Sequence, residues 1–172
     1  MITPPLPVAS TSRAAPDGAP VPELRTATAA DRPAVERLLV ASDLPTAGLV
    51  DLFAGHAGDF VVAEDPTAPG ELAAVGGLEV CGDSALLRSV AVRPAWRRHG
   101  LGQALVRRLD RRGEERGVRA LYLLTTTAER YFSRLGFASV DRGGVPPAIA
   151  ATLEFRTVCP ASAVAMARPL GG

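Results

Sequence analysis

The residues with the clearest chemical potential form a short segment rich in arginine and glycine. It runs from Arg97 to Gly102, reads Arg-Arg-His-Gly-Leu-Gly, and follows an apolar stretch from Ala85 to Val92. A helical pattern begins at its end. The first N–H groups of a helix have no partner within the helix, and the helix dipole favours negative charge there. Glycines let a ligand approach these groups, and arginines add charge-assisted contacts. The segment, called the phosphate loop below, therefore predicts a phosphate-binding site.

Strand and helix patterns around the phosphate loop define the elements that must position it. In chain order the sequence predicts a strand at 23–28, helices at 29–41 and 49–55, strands at 59–64, 72–80 and 85–92, a helix to about 116, a strand at 119–126, a helix at 128–135, a strand at 137–140, a short helix at 145–153 and a strand at 162–168. Hairpins in one half and helical crossovers in the other predict a mixed α/β (α+β) sheet.

Composition limits the classes of function. The chain has 172 residues, 47% of them hydrophobic and 22% charged, which suits one soluble domain with a real core. The net charge of +1 gives the whole molecule no strong field toward a polyanion or a membrane. No apolar run reaches the length of a membrane span. All 19 basic residues are arginine, so no lysine is available as a base or a Schiff-base former.

The chain ends and the cysteines add two expectations. Residues 1–22 are rich in Pro, Ala, Ser and Thr, and prolines interrupt any signal-peptide core, so we expect a disordered tail before a single domain at 23–172. Cys81 and Cys159 lie far apart and fit no metal spacing, so no metal site is predicted. They are expected as free, half-buried thiols in a reducing cytoplasm.

Two motifs in this framework resemble the GNAT superfamily of N-acetyltransferases. The family loop Gln/Arg-x-x-Gly-x-Gly/Ala is matched by Arg97, Gly100 and Gly102, and its aromatic-x-x-Leu-Gly-Phe ending by Tyr131 to Phe137. A glycine loop alone is a weak signal, but loop, preceding strand, second motif and element order agree. The resemblance covers about residues 24–169. It implies a predominantly antiparallel sheet of the seven-strand type with a splayed central strand pair.

The resemblance also implies that acetyl-CoA is the cosubstrate. The pyrophosphate would bind backbone N–H groups of the phosphate loop, and the pantetheine arm would pair with the bulged strand before it. The N–H of Val92 would stabilise the oxyanion that forms as the amine attacks. The implied cofactor-binding residues are Val90, Ala91, Val92, Arg97, Arg98, His99, Gly100, Leu101, Gly102, Gln103 and Thr125.

Acid–base chemistry leaves alternatives open. The acceptor must react as a neutral amine, so a group must take its proton, directly or through water. Glu79 lies near where the family often places such a carboxylate, and a solvated strand residue is the other interpretation. Many relatives have a tyrosine acid where this chain has Phe132. Tyr131 is one residue earlier, a rotation of about 100° on a helix, which favours a core or surface role.

Short segments point to the acceptor. Residues 123–129 (Leu-Leu-Thr-Thr-Thr-Ala-Glu) and Phe132 resemble the acetyltransferase domain of N-acetylglutamate synthases. Together with 87–90 and 159–163, they most resemble GNAT proteins of bacterial arsenic-resistance operons, the ArsN type. This resemblance implies a small, amino-acid-like acceptor with an acidic group. The candidate substrate-binding residues are Arg88, Ser89, Thr126, Thr127, Arg156, Cys159 and Ser162.

Each of these acceptor residues also has a structural interpretation. A buried Arg88 needs an anionic partner, which is either a substrate carboxylate or arsenical oxyacid, or an internal Glu79 or Glu154. Arg156 is either a second anchor or a surface residue. Cys159 either contacts a trivalent arsenical through its soft sulfur or simply packs. The threonines from Thr125 to Thr127 either donate hydroxyls or end a strand and cap the next helix.

Three functions remain in competition at this stage. The first is acetyl transfer to a small polar amine, including an amino-acid arsenical in arsenic resistance. The second is biosynthetic acetylation of an amino acid such as glutamate, and the third is a non-catalytic sensor of acetyl-CoA or arsenicals. The basic helix after the phosphate loop is diluted by Glu114 and Glu115 and lacks aromatic residues, so no nucleic-acid partner is expected. A monomer or homodimer is predicted.

Overall fold

A seven-stranded sheet with helices on both faces forms the protein in the computed structural model, which describes residues 18–171. Most of the predicted tail, residues 1–17, lies outside the described residues. The strands are β1 (Leu24–Thr26), β2 (Phe60–Glu64), β3 (Leu72–Cys81), β4 (Ser84–Val92), β5 (Ala120–Thr125), β6 (Ala138–Ser139) and β7 (Val164–Pro169). The helices are α1 (Arg32–Ala41), α2 (Leu49–His56), α3 (Leu101–Glu115), α4 (Glu129–Arg134) and α5 (Pro147–Ala150).

The strand order is β1-β2-β3-β4-β5-β7-β6, and only β4 and β5 are parallel. The prediction of a mostly antiparallel seven-stranded sheet is confirmed. Helix α3 supplies the crossover between the two parallel strands, because parallel neighbours cannot be joined by a hairpin. The phosphate loop therefore lies between the end of β4 and the start of α3.

The central strand pair separates soon after it begins. β4 and β5 pair only from Ser84 with Ala120 to Leu86 with Tyr122, although both strands continue beyond that register. The register between β3 and β4 shifts between Val75 and Gly77, opposite a Ser89 whose φ is 57°. This irregularity bends β4 away from β5. A wedge-shaped gap therefore opens between the two strands.

Two apolar layers hold the sheet in place. Leu105 and Leu109 of α3 belong to a core that also contains Val61 and Leu87 from one face of the sheet. Val35 of α1 and Phe53 of α2 belong to the core of the other face. Successive residues of a strand point to opposite faces of the sheet, so one strand contributes side chains to both layers. No helix of residues 18–171 is long and apolar enough to cross a membrane.

The predicted elements agree closely with the structure except near the C-terminus. The predicted helix at 145–153 is only the single turn α5, and a π-helical turn follows it at Glu154–Val158. Hydrophobic periodicity does not reveal such a turn, because one additional residue per turn breaks the 3.6-residue pattern. This turn is called the π-turn below, and it delivers residues to the functional site.

Candidate active site

A cavity of about 880 Å³ occupies the gap between β4 and β5. Its walls include the second half of β4, the phosphate loop, the end of β5, α4, the loop before α2 and the π-turn. The splay of the central strands creates this space, because paired strands would lie less than 5 Å apart. Backbone N–H and C=O groups of β4 that lack a strand partner line one wall.

The phosphate loop presents the free end of α3 to this cavity. Gly100 precedes the helix with φ of 76°, a conformation that glycine adopts without strain. The first bond within the helix runs from the Ala104 N–H to the Gly100 carbonyl at 3.0 Å. The N–H groups of Leu101, Gly102 and Gln103 therefore have no helical partner, and all three residues line the cavity. This end of α3 has the features of an anion site.

Gly102 has a second role beside the one its sequence motif suggests. A Cβ built at this position would lie 2.5 Å from the Tyr131 hydroxyl oxygen, so a side chain here collides with that residue. The Tyr131 ring also lines the cavity, and burial raises the pKa of its hydroxyl. Tyr131 packs against the core that contains Phe132, as one of the expected roles required, and its hydroxyl also lies over the first turn of α3.

The Gly102–Tyr131 contact makes a testable prediction. Gly102→Ala should weaken acetyl-CoA binding about tenfold, because overpacking costs about 1–3 kcal/mol and displaces Tyr131 at the phosphate loop. Helix propensity would by itself favour alanine at this position. Tyr131→Phe removes the colliding oxygen, and the next nearest atom, Tyr131 Cζ, is 3.5 Å away. Isothermal titration calorimetry should show that Tyr131→Phe suppresses most of the effect of Gly102→Ala, whereas additive losses would contradict this interpretation.

The backbone of Val92 faces the open side of β4. The N–H of Arg93 bonds to the Ala73 carbonyl at 2.8 Å, so Arg93 makes the antiparallel bonds to β3. Neighbouring residues on a strand point their N–H and C=O to opposite sides, which turns those of Val92 away from β3. The Val92 carbonyl accepts a bond from Arg97 Nε at 3.0 Å on that side. The Val92 N–H therefore points to the side of β4 on which the cavity lies.

The remaining predicted cofactor residues divide into two groups. Arg97 and Arg98 are exposed, and both line the cavity. Val90 and Ala91 also line it. His99 does not line it, and its ring lies edge-on to Trp96 with 6.2 Å between centroids. Thr125 lines the cavity, but its hydroxyl accepts the Ala128 N–H at 2.9 Å, which supports the capping interpretation.

At the opposite end of the cavity, Arg88 is only 3% exposed and bonds to the protein itself. Its Nη1 donates to Glu79 Oε2 and its Nη2 to the Ala47 carbonyl, both at 2.9 Å. Its Nε lies 3.3 Å from Glu154 Oε2 without forming a hydrogen bond. Both internal carboxylate partners considered from the sequence are thus present. Arg88 also lines the cavity, so its contacts do not remove it from the site.

Glu154 is the second carboxylate of this group and is 8% exposed. Burial raises its pKa, and the charge of Glu79 acts in the same direction, whereas Arg88 lowers it. The Cys159 thiol donates to Glu154 Oε1 with sulfur and oxygen 3.8 Å apart. Burial and the nearby Glu154 raise the pKa of Cys159 to about 11, so this thiol is protonated at neutral pH. The four residues Arg88, Glu79, Glu154 and Cys159 are called the charged cluster below.

The structure brings together most of the predicted acceptor residues. Ser89, Thr126, Thr127 and Cys159 line the cavity beside Arg88. Three other candidates, Glu79, Arg156 and Ser162, do not line the cavity, and Arg156 and Ser162 are exposed. These positions do not support the expected contacts of Arg156 and Ser162 with an acceptor. Glu79, the expected base, contacts Arg88 from outside the cavity.

Sequence reasoning missed two contributors to the cavity wall. The loop residues Ser42 to Pro45 close it from the side of α1, and Glu154, expected only as a partner of Arg88, enters it from the π-turn. The apolar strand around Arg88 was the available signal for Glu154, because a buried cation demands a carboxylate. No residue pattern marked the loop before α2.

Comparison with known proteins identifies the family. A model described as an acetyltransferase (GNAT) domain matches residues 56–139. An amino-acid acetyltransferase of Mycobacterium tuberculosis is 33% identical over 124 residues, which cover 70% of this chain and 70% of that protein. The chain belongs to the GNAT acetyltransferase family. It is therefore an acyltransferase, and acetyl-CoA is its acetyl donor.

Two solved structures and one further sequence relative are also similar to this GNAT acetyltransferase. An M. tuberculosis protein solved with CoA superimposes with a TM-score of 0.71 at 28% identity, covering 87% of this chain and 99% of that one. The N-acetylglutamate synthase of Neisseria gonorrhoeae, solved with coenzyme A and N-acetyl-glutamate, superimposes with a TM-score of 0.72 at 19% identity. The match covers 87% of this chain and 35% of that one and shows a similarity of fold. A Pseudomonas syringae amino-acid acetyltransferase is 36% identical over 76 residues, which is 43% of this chain and 17% of that protein.

Proposed function

We propose that this GNAT acetyltransferase transfers the acetyl group of acetyl-CoA to the amino group of a small amino acid. The observation that carries the proposal is the cavity that joins the open edge of β4 to the charged cluster. An amino acid is a zwitterion, and the residues that line the cavity include a cation, Arg88, and a carboxylate, Glu154. The amino-acid acetyltransferases similar to this chain support the same acceptor class.

The donor end of the cavity suits acetyl-CoA. Its pyrophosphate would bind the free N–H groups of Leu101, Gly102 and Gln103, with Arg97 and Arg98 adding charge. Its pantetheine arm would lie along Val90 to Val92, where β4 has no partner from β5. The Val92 N–H would then face the acetyl carbonyl and stabilise the developing oxyanion. His99 is left out of this arrangement because it lies outside the cavity wall.

An amino acid that contains arsenic is a second candidate acceptor. Cys159 lines the cavity, which is the observation in its favour. Its thiol is protonated at neutral pH, however, and only the thiolate binds metalloid centres well. Recognition of an arsenical would therefore depend on the same zwitterionic backbone as that of any amino acid, rather than on a sulfur–arsenic bond.

Release of free CoA thiol from acetyl-CoA tests the proposal. The panel should contain glutamate, glutamine, neutral amino acids, amino-acid arsenicals, and primary amines without a carboxylate. Each amino acid should be paired with its N-acetylated form, which has no amine to acetylate. We expect turnover with at least one amino acid and none with its acetylated form. Turnover confined to arsenicals would favour a role in arsenic resistance. Tight acetyl-CoA binding without turnover would favour a non-catalytic sensor.

A further inference from the structure

The charged cluster contains one more carboxylate than it needs. Glu79 alone balances Arg88 through a direct hydrogen bond of 2.9 Å. Glu154 makes no hydrogen bond to Arg88, and its Oε2 is buried without a hydrogen-bond partner among residues 18–171. With all three groups ionised, the buried cluster carries one net negative charge. Arg88 Nε, 3.3 Å from Glu154 Oε2, offsets part of this charge, and an ammonium entering the cavity would offset the rest.

The position of Glu154 shows where this cation would come from. The Glu154 side chain is 11% exposed, and it lines the cavity, whereas Glu79 does not. Its other oxygen, Oε1, is held by the Cys159 thiol, which fixes the carboxylate on the π-turn. The cavity that Glu154 faces also contains Val92, whose N–H points to the open side of β4. A carboxylate and an oxyanion donor thus share one chamber, as attack of an amine on a thioester requires.

We propose that Glu154 binds the ammonium of the acceptor and removes its proton before acetyl transfer. This inference rests on the proposed function. One proton passes from the ammonium to the Glu154 carboxylate and from there to solvent. The neutral amine then forms a bond to the acetyl carbon, and the carbon–sulfur bond breaks. The second proton of the nitrogen ends on the departing sulfur, so the products are the amide, CoA thiol and one released proton.

The surroundings of Glu154 fit this role. A base works best when its affinity for protons is close to the operating pH, and burial moves the pKa of Glu154 upward toward that range. The charged groups around it are Arg88 on β4, Glu79 on β3 and, through Cys159, Arg142 after β6. Arg142 donates to the Phe155 carbonyl within the π-turn and to the Pro160 carbonyl just beyond it. Glu154 is therefore a positioned carboxylate.

The test compares Glu154→Gln with Glu79→Gln and an exposed control, Glu114→Gln, in the full chain. Glutamine preserves volume and the contact with Cys159 but accepts no proton. We expect Glu154→Gln to lower kcat/KM by about 10²-fold, a usual contribution of a general base. Its rate should rise about tenfold per pH unit until the amine itself titrates, while the native rate reaches a plateau earlier. Acetyl-CoA affinity should stay native, and Glu114→Gln should behave as the native protein does.

The outcomes separate this inference from the proposed function. If Glu154→Gln keeps the native rate and pH profile, or if only Glu79→Gln causes the loss, Glu154 is not the base. If amino acids fail and another primary amine is acetylated, the proposed function is wrong, and the same variants are compared with that amine. If no amine is acetylated, both proposals are contradicted. A Glu154→Gln variant with lowered acetyl-CoA affinity would indicate a structural role instead.

Discussion

Replacing Arg88 with methionine should lower the free energy of unfolding by about 3–5 kcal/mol, the usual cost of removing one partner of a buried ion pair. The change leaves Glu79 and the buried Glu154 without their cation, and it removes the donor to the Ala47 carbonyl. Urea denaturation at neutral pH measures the loss. The exposed Arg107→Met on α3 is the matched control and should change stability by no more than about 0.5 kcal/mol.

The pH dependence of this loss identifies its cause. Without Arg88, an ionised Glu154 is disfavoured in the folded state, which raises its folded-state pKa further, so the deficit grows as pH rises above the pKa of the unfolded chain. Near or below the ordinary glutamate pKa of about 4.3, the Glu154 carboxyl is protonated in both states and the deficit should shrink. Adding Glu154→Gln to Arg88→Met should recover part of the stability at neutral pH. A loss that is independent of pH and unaffected by Glu154→Gln would mean that packing, rather than charge, is responsible.

The same variant tests whether Arg88 also contacts the acceptor. Where Arg88→Met remains folded, acceptor KM should rise while acetyl-CoA affinity stays native, because Arg88 lines the end of the cavity where we propose that the acceptor binds. Full acceptor affinity in a folded Arg88→Met protein would remove Arg88 from the acceptor site. Its partners would then be Glu79, Glu154 and Ala47 alone.

Val92→Pro should lower kcat by about 10²–10³-fold, the usual cost of removing one oxyanion donor. Proline lacks the backbone N–H, and Val92 can lose its own without breaking a bond to β3, because Arg93 makes that bond. Steady-state kinetics under saturating acetyl-CoA measures the effect. The affinity for acetyl-CoA should change far less than kcat, since the first turn of α3 is unaltered.

Two further measurements serve as controls for the Val92 prediction. Val92→Ala keeps the N–H and removes most of the side chain, so its loss of kcat should be much smaller than that of Val92→Pro. A thermal melt shows whether the proline disturbs β4, which has no β5 partner at this point. A folded Val92→Pro protein with native kcat would show that another group stabilises the oxyanion.

Most of the fold could be predicted because its determinants are local. Short, nearly continuous apolar runs mark β2 to β4, Gly82 and Asp83 mark the hairpin between β3 and β4, and helical spacing marks α3. The π-turn escaped prediction because its geometry follows no apolar period. It places Glu154 in the cavity wall, so the least predictable segment supplies the proposed base.

The same distinction between local and long-range determinants applies to the functional residues. The phosphate loop was recognisable because Arg97, Gly100 and Gly102 lie close together in sequence at one strand–helix junction, which is a local property. The contact between Gly102 and Tyr131, by contrast, joins α3 to α4. The partners of Arg88 come from β3, the loop before α2 and the π-turn. Sequence could offer Glu79 and Glu154 only as alternatives.

The sequence by itself determined the donor half of this protein: a strand, a glycine-bearing loop and a helix end that suit the phosphates of acetyl-CoA. Only the tertiary structure decided the acceptor half. Burial and charge depend on residues brought together from distant parts of the chain, and no spacing within one segment encodes their distances. For this reason Glu154, rather than Glu79, faces the chamber in which the amine would meet the acetyl group.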